Sequence, residues 1–189
     1  MAFDMNETDE KLYRRFLERG ESDDLRILLE RYNESLTLFI NGFVHSMEDA
    51  EELMLDTFAI AASGTSRFRG NSTFKTWLFG IGRNLALKHL KKHRISEVPI
   101  NEETLGKTYH EDLGLSLLSK ERNAKLYRAL SELNPDYRQA LYLIYFEDMS
   151  TEEAASVMGK NKKQFYNLVS RGKTALKGVL ERMGIDDEI

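Results

Sequence analysis

The chain of 189 residues contains no cysteine. That excludes disulfides, thiolate metal sites and a cysteine nucleophile, and it fits a reducing cytoplasm. Only two prolines occur, Pro99 and Pro135, so little interrupts helices. No apolar run approaches the roughly 20 residues that span a bilayer, and the opening MAFDMNETDEK lacks the basic-then-apolar pattern of a signal peptide. There is no glycine-rich phosphate loop. The four histidines, His45, His89, His93 and His110, have no zinc-ligand spacing. No metal, no cofactor and no catalytic residue is expected, and the chain reads as a non-enzyme.

The most informative absence is of acid. Residues 57–96 hold no Asp or Glu, against eight Lys or Arg, in a chain whose net charge is -4. The cations are Arg67, Arg69, Lys75, Arg83, Lys88, Lys91, Lys92 and Arg94, interleaved with Phe68, Phe74, Trp77 and Phe79. Unneutralised like charge repels itself and points to an external anionic partner. Cations read phosphates, and aromatic faces stack on unpaired bases. Phe74 and Trp77 fit an apolar stripe and are read as core. A second basic block, residues 160–177, also lacks acid, and acidic segments flank both blocks, so the overall sign hides two local fields.

What is present reads as helix throughout. Residues 8–19 end at Gly20, and Ser22 can cap the next helix, whose apolar residues from Leu25 to Phe43 recur every three or four positions. Ser46 with Asp49 resembles a capping box, followed by the stripe Ala50, Leu53, Met54, Phe58 and Ala61. Glu48, Asp49, Glu51, Glu52 and Asp56 line the opposite face, and Gly64 ends that helix. A polar loop, TSRFRGNS, leads to Ser72 or Thr73 as the cap of the basic helix. Residues 95–115 are acidic, carry Pro99, Gly106 and Gly114, and show no sustained period, which reads as a flexible linker at a domain boundary. Helices then follow from Ser116 to Ser131, from the Asn134-Pro135 cap, from the Ser150–Glu153 capping box and from Asn161–Gln164. The expected fold is all-α: two small helical domains, 1–94 and 116–184, joined by the linker.

A short helix at 151–158, a turn at Gly159 and a longer basic helix from 162 make a helix-turn-helix. In that motif the second helix enters the major groove by its N-terminal residues. Here those are Lys162, Lys163, Gln164, Tyr166 and Asn167, with Arg171 further along for a phosphate. Gln and Asn pair with adenine edges, and Lys with guanine or phosphate. Phe165, Leu168 and Val169 fill the inward stripe.

FRGNSTFKTWLFGIGRNLALKHLKKHR resembles the promoter-melting, minus-ten-reading segment of bacterial RNA polymerase sigma factors of the extracytoplasmic-function group. ALSELNPDYRQALYLIYFEDMSTEEAASVMGKNKKQFYNLVSRGKTAL resembles that group's minus-thirty-five-binding domain, and EDAEELMLDTF its clamp-binding segment. The resemblance implies a protein that binds core RNA polymerase, places it at a promoter and opens the DNA, with an anti-sigma factor as a candidate regulator. It implies polymerase contacts at Asp49, Glu52, Leu53, Asp56 and Phe58. It implies DNA contacts at Arg67, Phe68, Arg69, Asn71 and Ser72, the loop expected to capture an unpaired base, and at Asn84, Lys88, Lys91 and Lys92 on the helix after it. The minus-thirty-five contacts fall to the recognition-helix residues named above. This chain has Tyr166 and Leu168 where the group usually carries a basic residue and an Arg, and Gly172 where Ala is usual. The competing reading is a two-domain helix-turn-helix regulator that acts without polymerase, which leaves the block at 67–94 unexplained. A metal-dependent nuclease built on Glu48, Asp49 and Glu52 would have its acids across the chain from its cations.

Overall fold

The computed structural model describes residues 7–20, 22–96 and 121–185, and every regular element among them is helical. In chain order these are α1 (Asp9–Arg19), α2 (Ser22–Val44), α3 (Met47–Ser63), α4 (Phe74–Ser96), α5 (Glu121–Ser131), α6 (Pro135–Tyr145), α7 (Thr151–Val157) and α8 (Lys162–Arg182). The first two residues of the expected linker, 95 and 96, are the last turn of α4; its remainder, 97–115, and the expected start of α5 at 116–120 lie outside the described residues. No helix among the described residues is long and apolar enough to cross a membrane.

Local chemistry sets the helix ends. Gly20 stops α1 in the left-handed region at φ 69°, its N–H bonded to the Phe16 carbonyl. Ser46 Oγ accepts from the Asp49 N–H, and Thr73 Oγ1 from the Thr76 N–H at 3.2 Å, capping α3 and α4. Asn134 caps α6 ahead of Pro135, the expected Ser150–Glu153 capping box is closed in both directions, and the helix start at Asn161–Gln164 is closed in the same way. Ser22 differs from expectation: it is itself the first helical residue of α2.

The apolar stripes of α1–α4 meet around Leu12, Tyr13, Leu28, Phe39, Phe74 and Phe79, all fully buried. A smaller cluster joins Leu130, Leu141, Leu176 and Val179 of α5, α6 and α8. The larger core does not stop at the boundary between the two units. Tyr127, Ala140, Tyr142, Leu143, Ala154 and Phe165 belong to it. Tyr142 and Tyr127 donate to the carbonyls of Ser35 (3.0 Å) and Leu38 (3.4 Å), and Arg138 donates to that of Gly42 (3.1 Å). Gly42 allows this approach: a Cβ there would sit 2.3 Å from Gln139 Nε2. The two units therefore share one packed interface, which no local pattern in the sequence announces.

Candidate nucleic-acid interface

Helix α8, the expected recognition helix, divides into an inward and an outward face as its periodicity predicts. Phe165 is fully buried, and Leu168 and Val169 pack half-buried on the core. Lys163, Tyr166, Asn167, Ser170 and Arg171 are exposed on the other side, Tyr166 at 69%. Leu168 thus serves packing, as its place in the stripe requires. Gly172 is buried against α6: a Cβ there would sit 3.3 Å from the Leu141 side chain, so the usual alanine would require that side chain to give by a few tenths of an ångström. Two named residues have work inside the fold. Gln164 Oε1 accepts the Asn161 N–H at 3.0 Å, and Lys162 pairs with Glu152 of α7. That lysine and the Glu152 backbone hold the Glu152 carboxyl below its usual range.

The loop of residues 64–73 presents Arg67, Arg69, Asn71 and Ser72 to solvent. Phe68 corrects the sequence reading. It is half-buried, its ring 5.3 Å from Trp77, 5.9 Å from Tyr13 and 6.2 Å from Phe74. An aromatic cluster competes successfully for this ring, which is not an exposed stacking face.

Along α4 the cations divide. Asn84, Lys88 and Lys91 recur at spacings of four and three and are exposed, as is Lys92. Lys75 turns toward the other unit, with Nζ 2.9 Å from the buried Glu147 carboxylate and 2.7 Å from its carbonyl. Arg83 is half-buried, its Nε without a hydrogen-bond partner, and burial lowers its pKa against the opposing pull of Asp136. Sequence reasoning assigned neither residue to this internal role. The acids of α6 and of the turn before α7 were the available signal, yet nothing in the sequence places them beside α4.

On α3, Glu52 and Asp56 are exposed, and half-exposed Asp49 faces His89 at 3.7 Å. Leu53 and Phe58, expected at the polymerase contact, are buried at 7% and 5% exposure and pack in the core. The exposed apolar residue is Leu55, at 56%, which the sequence reading passed over. It falls off the inward stripe of 50, 53, 54, 57, 58 and 61 and sits among acids, which was the usable signal. Among the described residues, no group of three or more His, Cys, Asp or Glu side chains could hold a metal.

The family models described as "Sigma-70 region 2" and "Sigma-70, region 4" match residues 28–95 and 123–176. The chain is 30% identical to the RNA polymerase sigma-H factor of Pseudomonas aeruginosa over 161 residues, covering 80% of this chain and 83% of that protein. It is 27% identical to the ECF RNA polymerase sigma factor SigM of Bacillus subtilis, over 85% of this chain and 97% of the relative. Its structure is similar to that of the sigma factor RpoE from Bartonella quintana, solved in complex with the anti-sigma factor NepR. There the TM-score is 0.62 at 25% identity, covering 84% of this chain and 97% of the other.

Proposed function

We propose, because this chain belongs to the RNA polymerase sigma factors of the extracytoplasmic-function group, a division of its exposed surfaces among polymerase, the minus-ten element and the minus-thirty-five element. The protein binds core RNA polymerase, recognises promoter DNA and helps to open it. Sigma factors are not themselves catalysts, and this one supplies binding and positioning only, in the cytoplasm. Residues 1–94 form the polymerase- and minus-ten-binding unit, and residues 116–184 the minus-thirty-five-binding unit. Glu52, Leu55 and Asp56, with Asp49 at the rim, meet the polymerase clamp. Arg67, Arg69, Asn71 and Ser72 receive an unpaired base of the melted strand, and Asn84, Lys88, Lys91 and Lys92 track the adjoining DNA. Lys163, Gln164, Tyr166, Asn167 and Arg171 read the upstream element. An anti-sigma factor, the partner in the relative's crystal, is the regulator this reading assigns.

The observation that carries the reading is the pair of exposed polar helix faces, 163–171 on α8 and 84–92 on α4. One reader would suffice for a regulator acting alone. The test is promoter selection from a randomised library by holoenzyme reconstituted from core polymerase. A base contact is worth about 1–3 kcal/mol of discrimination, whereas a phosphate contact weakens all sequences alike. Asn167→Ala and Gln164→Ala should each relax preference at one upstream position, and Arg171→Ala should lower affinity without changing the preferred sequence. If all three behave alike, α8 tracks backbone only. If the protein captures no core polymerase in the absence of DNA, the regulator reading replaces this one.

A further inference from the structure

The matched family segments begin at residue 28, so α1 lies outside them. It is nonetheless bound firmly to α2. The Asp9 carboxylate accepts from Arg31 at 2.6 Å and from the Tyr32 hydroxyl, and Arg15 pairs with Asp24 and with Glu7 (2.9 Å). Two side chains of α1, one turn apart on the same face, reach past α2 to the 64–73 loop. Tyr13 is 1% exposed. Its hydroxyl donates to the Ala61 carbonyl at 2.8 Å, in the last turn of α3, where the loop begins. Its ring lies 5.9 Å from Phe68 in the middle of the loop, edge-on, and 5.0 Å from Phe74 where the loop ends. Glu10 completes the set: its Oε1 accepts the Phe74 N–H at 2.8 Å, satisfying one of the orphan donors at the start of α4. One helix therefore touches the loop's departure, its middle and its return.

We infer that α1 is a positioning element for strand opening, in which Tyr13 and Glu10 hold the 64–73 loop in the shape that receives the unpaired base. This rests on the reading of that loop as the base-capturing segment. The physical reason is preorganisation. A short polar loop that must grip an extruded base loses affinity if it has to order itself at the moment of capture, and extrusion already costs a few kcal/mol. Arg69 and Asn71 are exposed and polar, so their direction depends on the backbone beneath them, and that backbone is pinned by Phe68 and by its two anchors. Neither Tyr13 nor Glu10 touches DNA in this scheme.

The experiment measures open-complex formation by the full chain with core polymerase, using 2-aminopurine in the non-template strand. Two templates are compared: a duplex promoter and the same promoter pre-melted across the minus-ten element. Tyr13→Phe keeps the ring and loses the hydroxyl. Glu10→Ala loses the cap, and Glu10→Gln keeps an acceptor oxygen for it. Asn71→Ala reports on the loop itself, and core affinity and thermal unfolding are followed for every variant. Tyr13→Phe and Glu10→Ala should slow opening of the duplex about three- to tenfold, the worth of one hydrogen bond. They should leave the pre-melted template and core affinity unchanged, and Glu10→Gln should restore the rate. If Asn71→Ala slows only the duplex while the α1 variants open it at the native rate, the positioning role is overturned and base capture stands. If Asn71→Ala slows both templates equally, base capture itself fails and the inference with it. If the α1 variants lower both templates in step with unfolding temperature, α1 is a structural support and nothing more.

Discussion

Arg138 shows how a half-buried cation is held by backbone carbonyls. Its guanidinium donates to the carbonyls of Leu130 (3.2 Å), Ser131 (2.6 Å), Leu133 (2.9 Å) and Gly42 (3.1 Å). These acceptors lie at or beyond the C-terminal ends of α5 and α2, where helix dipoles present partial negative charge. His45 sits beside it, Nδ1 3.5 Å from the guanidinium, with its backbone in the left-handed region at φ 63°. Burial first, and the Arg138 charge second, lower its pKa to about 4. A depressed histidine pKa means that the unfolded chain binds a proton the folded chain refuses. Stability from this group is therefore complete above pH about 6.5 and is lost as pH falls toward about 4. His45→Asn should remove that part of the loss, since Asn tolerates the left-handed region. Urea midpoints of both proteins at about pH 7 and about pH 4.5 check it. Equal acid losses in the two would mean that His45 titrates normally.

At the scale of the element, α3 is an amphipathic helix with an unusual outer face: acids around one exposed leucine. Rim charges steer association while a desolvated apolar anchor holds it. Leu55→Ala should leave unfolding within about 0.5 kcal/mol of the native chain, because the side chain is already in water. It should weaken core polymerase binding by more than about 1 kcal/mol, as an anchor does. Leu53→Ala should do the opposite, costing about 2–5 kcal/mol of stability through the cavity it leaves. Charge reversal at Glu52 and Asp56 should slow association and steepen with falling salt. Urea unfolding and a core-binding titration separate these outcomes. A Leu55→Ala protein that binds core normally would remove this residue from the interface.

At the scale of the molecule, the closed packing and the proposed task conflict in length. The minus-ten and minus-thirty-five elements are separated by about 25 base pairs, or roughly 85 Å at about 3.4 Å per step. In the structure α7 packs directly against α4: Thr73 Oγ1 donates to Glu153 at 3.1 Å, beside the Lys75–Glu147 pair. Packed helices lie about 8–10 Å apart. On the proposed division of surfaces the two readers sit too close together to engage both elements, and opening of the interface on polymerase binding is the expected outcome. The chain has no cysteine, so Leu17→Cys and Lys177→Cys give clean labelling sites, both exposed. Distance between the labels should increase on core binding. Lys75→Met leaves Glu147 buried without its partner, which favours opening. It should raise apparent core affinity measured without DNA, since less of the protein is held in the closed state. Unchanged distance on core binding would mean that the closed form is the working one.

Much of this was legible in order along the chain. Caps, glycine stops and apolar stripes are local, and local chemistry determined the helices, the inward face of α8 and the core placement of Leu168. The absence of acid from 57–96 announced an anionic partner, and family resemblance supplied which one. The shared interface was not legible, because a period of three to four residues says where a side chain lies around its own helix and nothing about which element, as much as 107 residues away, will cover it. Lys75 and Lys88 look alike in sequence. Only the fold sends the first to Glu147 and the second to solvent. Phe68 went to the aromatic cluster for the same reason: Tyr13, fifty-five positions earlier, stands beside it. Leu53 and Phe58 are a different matter, since their place in the apolar stripe of α3 already marks them as core. Tertiary structure decided the closed arrangement, the pinning of the loop by α1 and the sorting of cations, all of them contacts between residues that sequence order keeps apart.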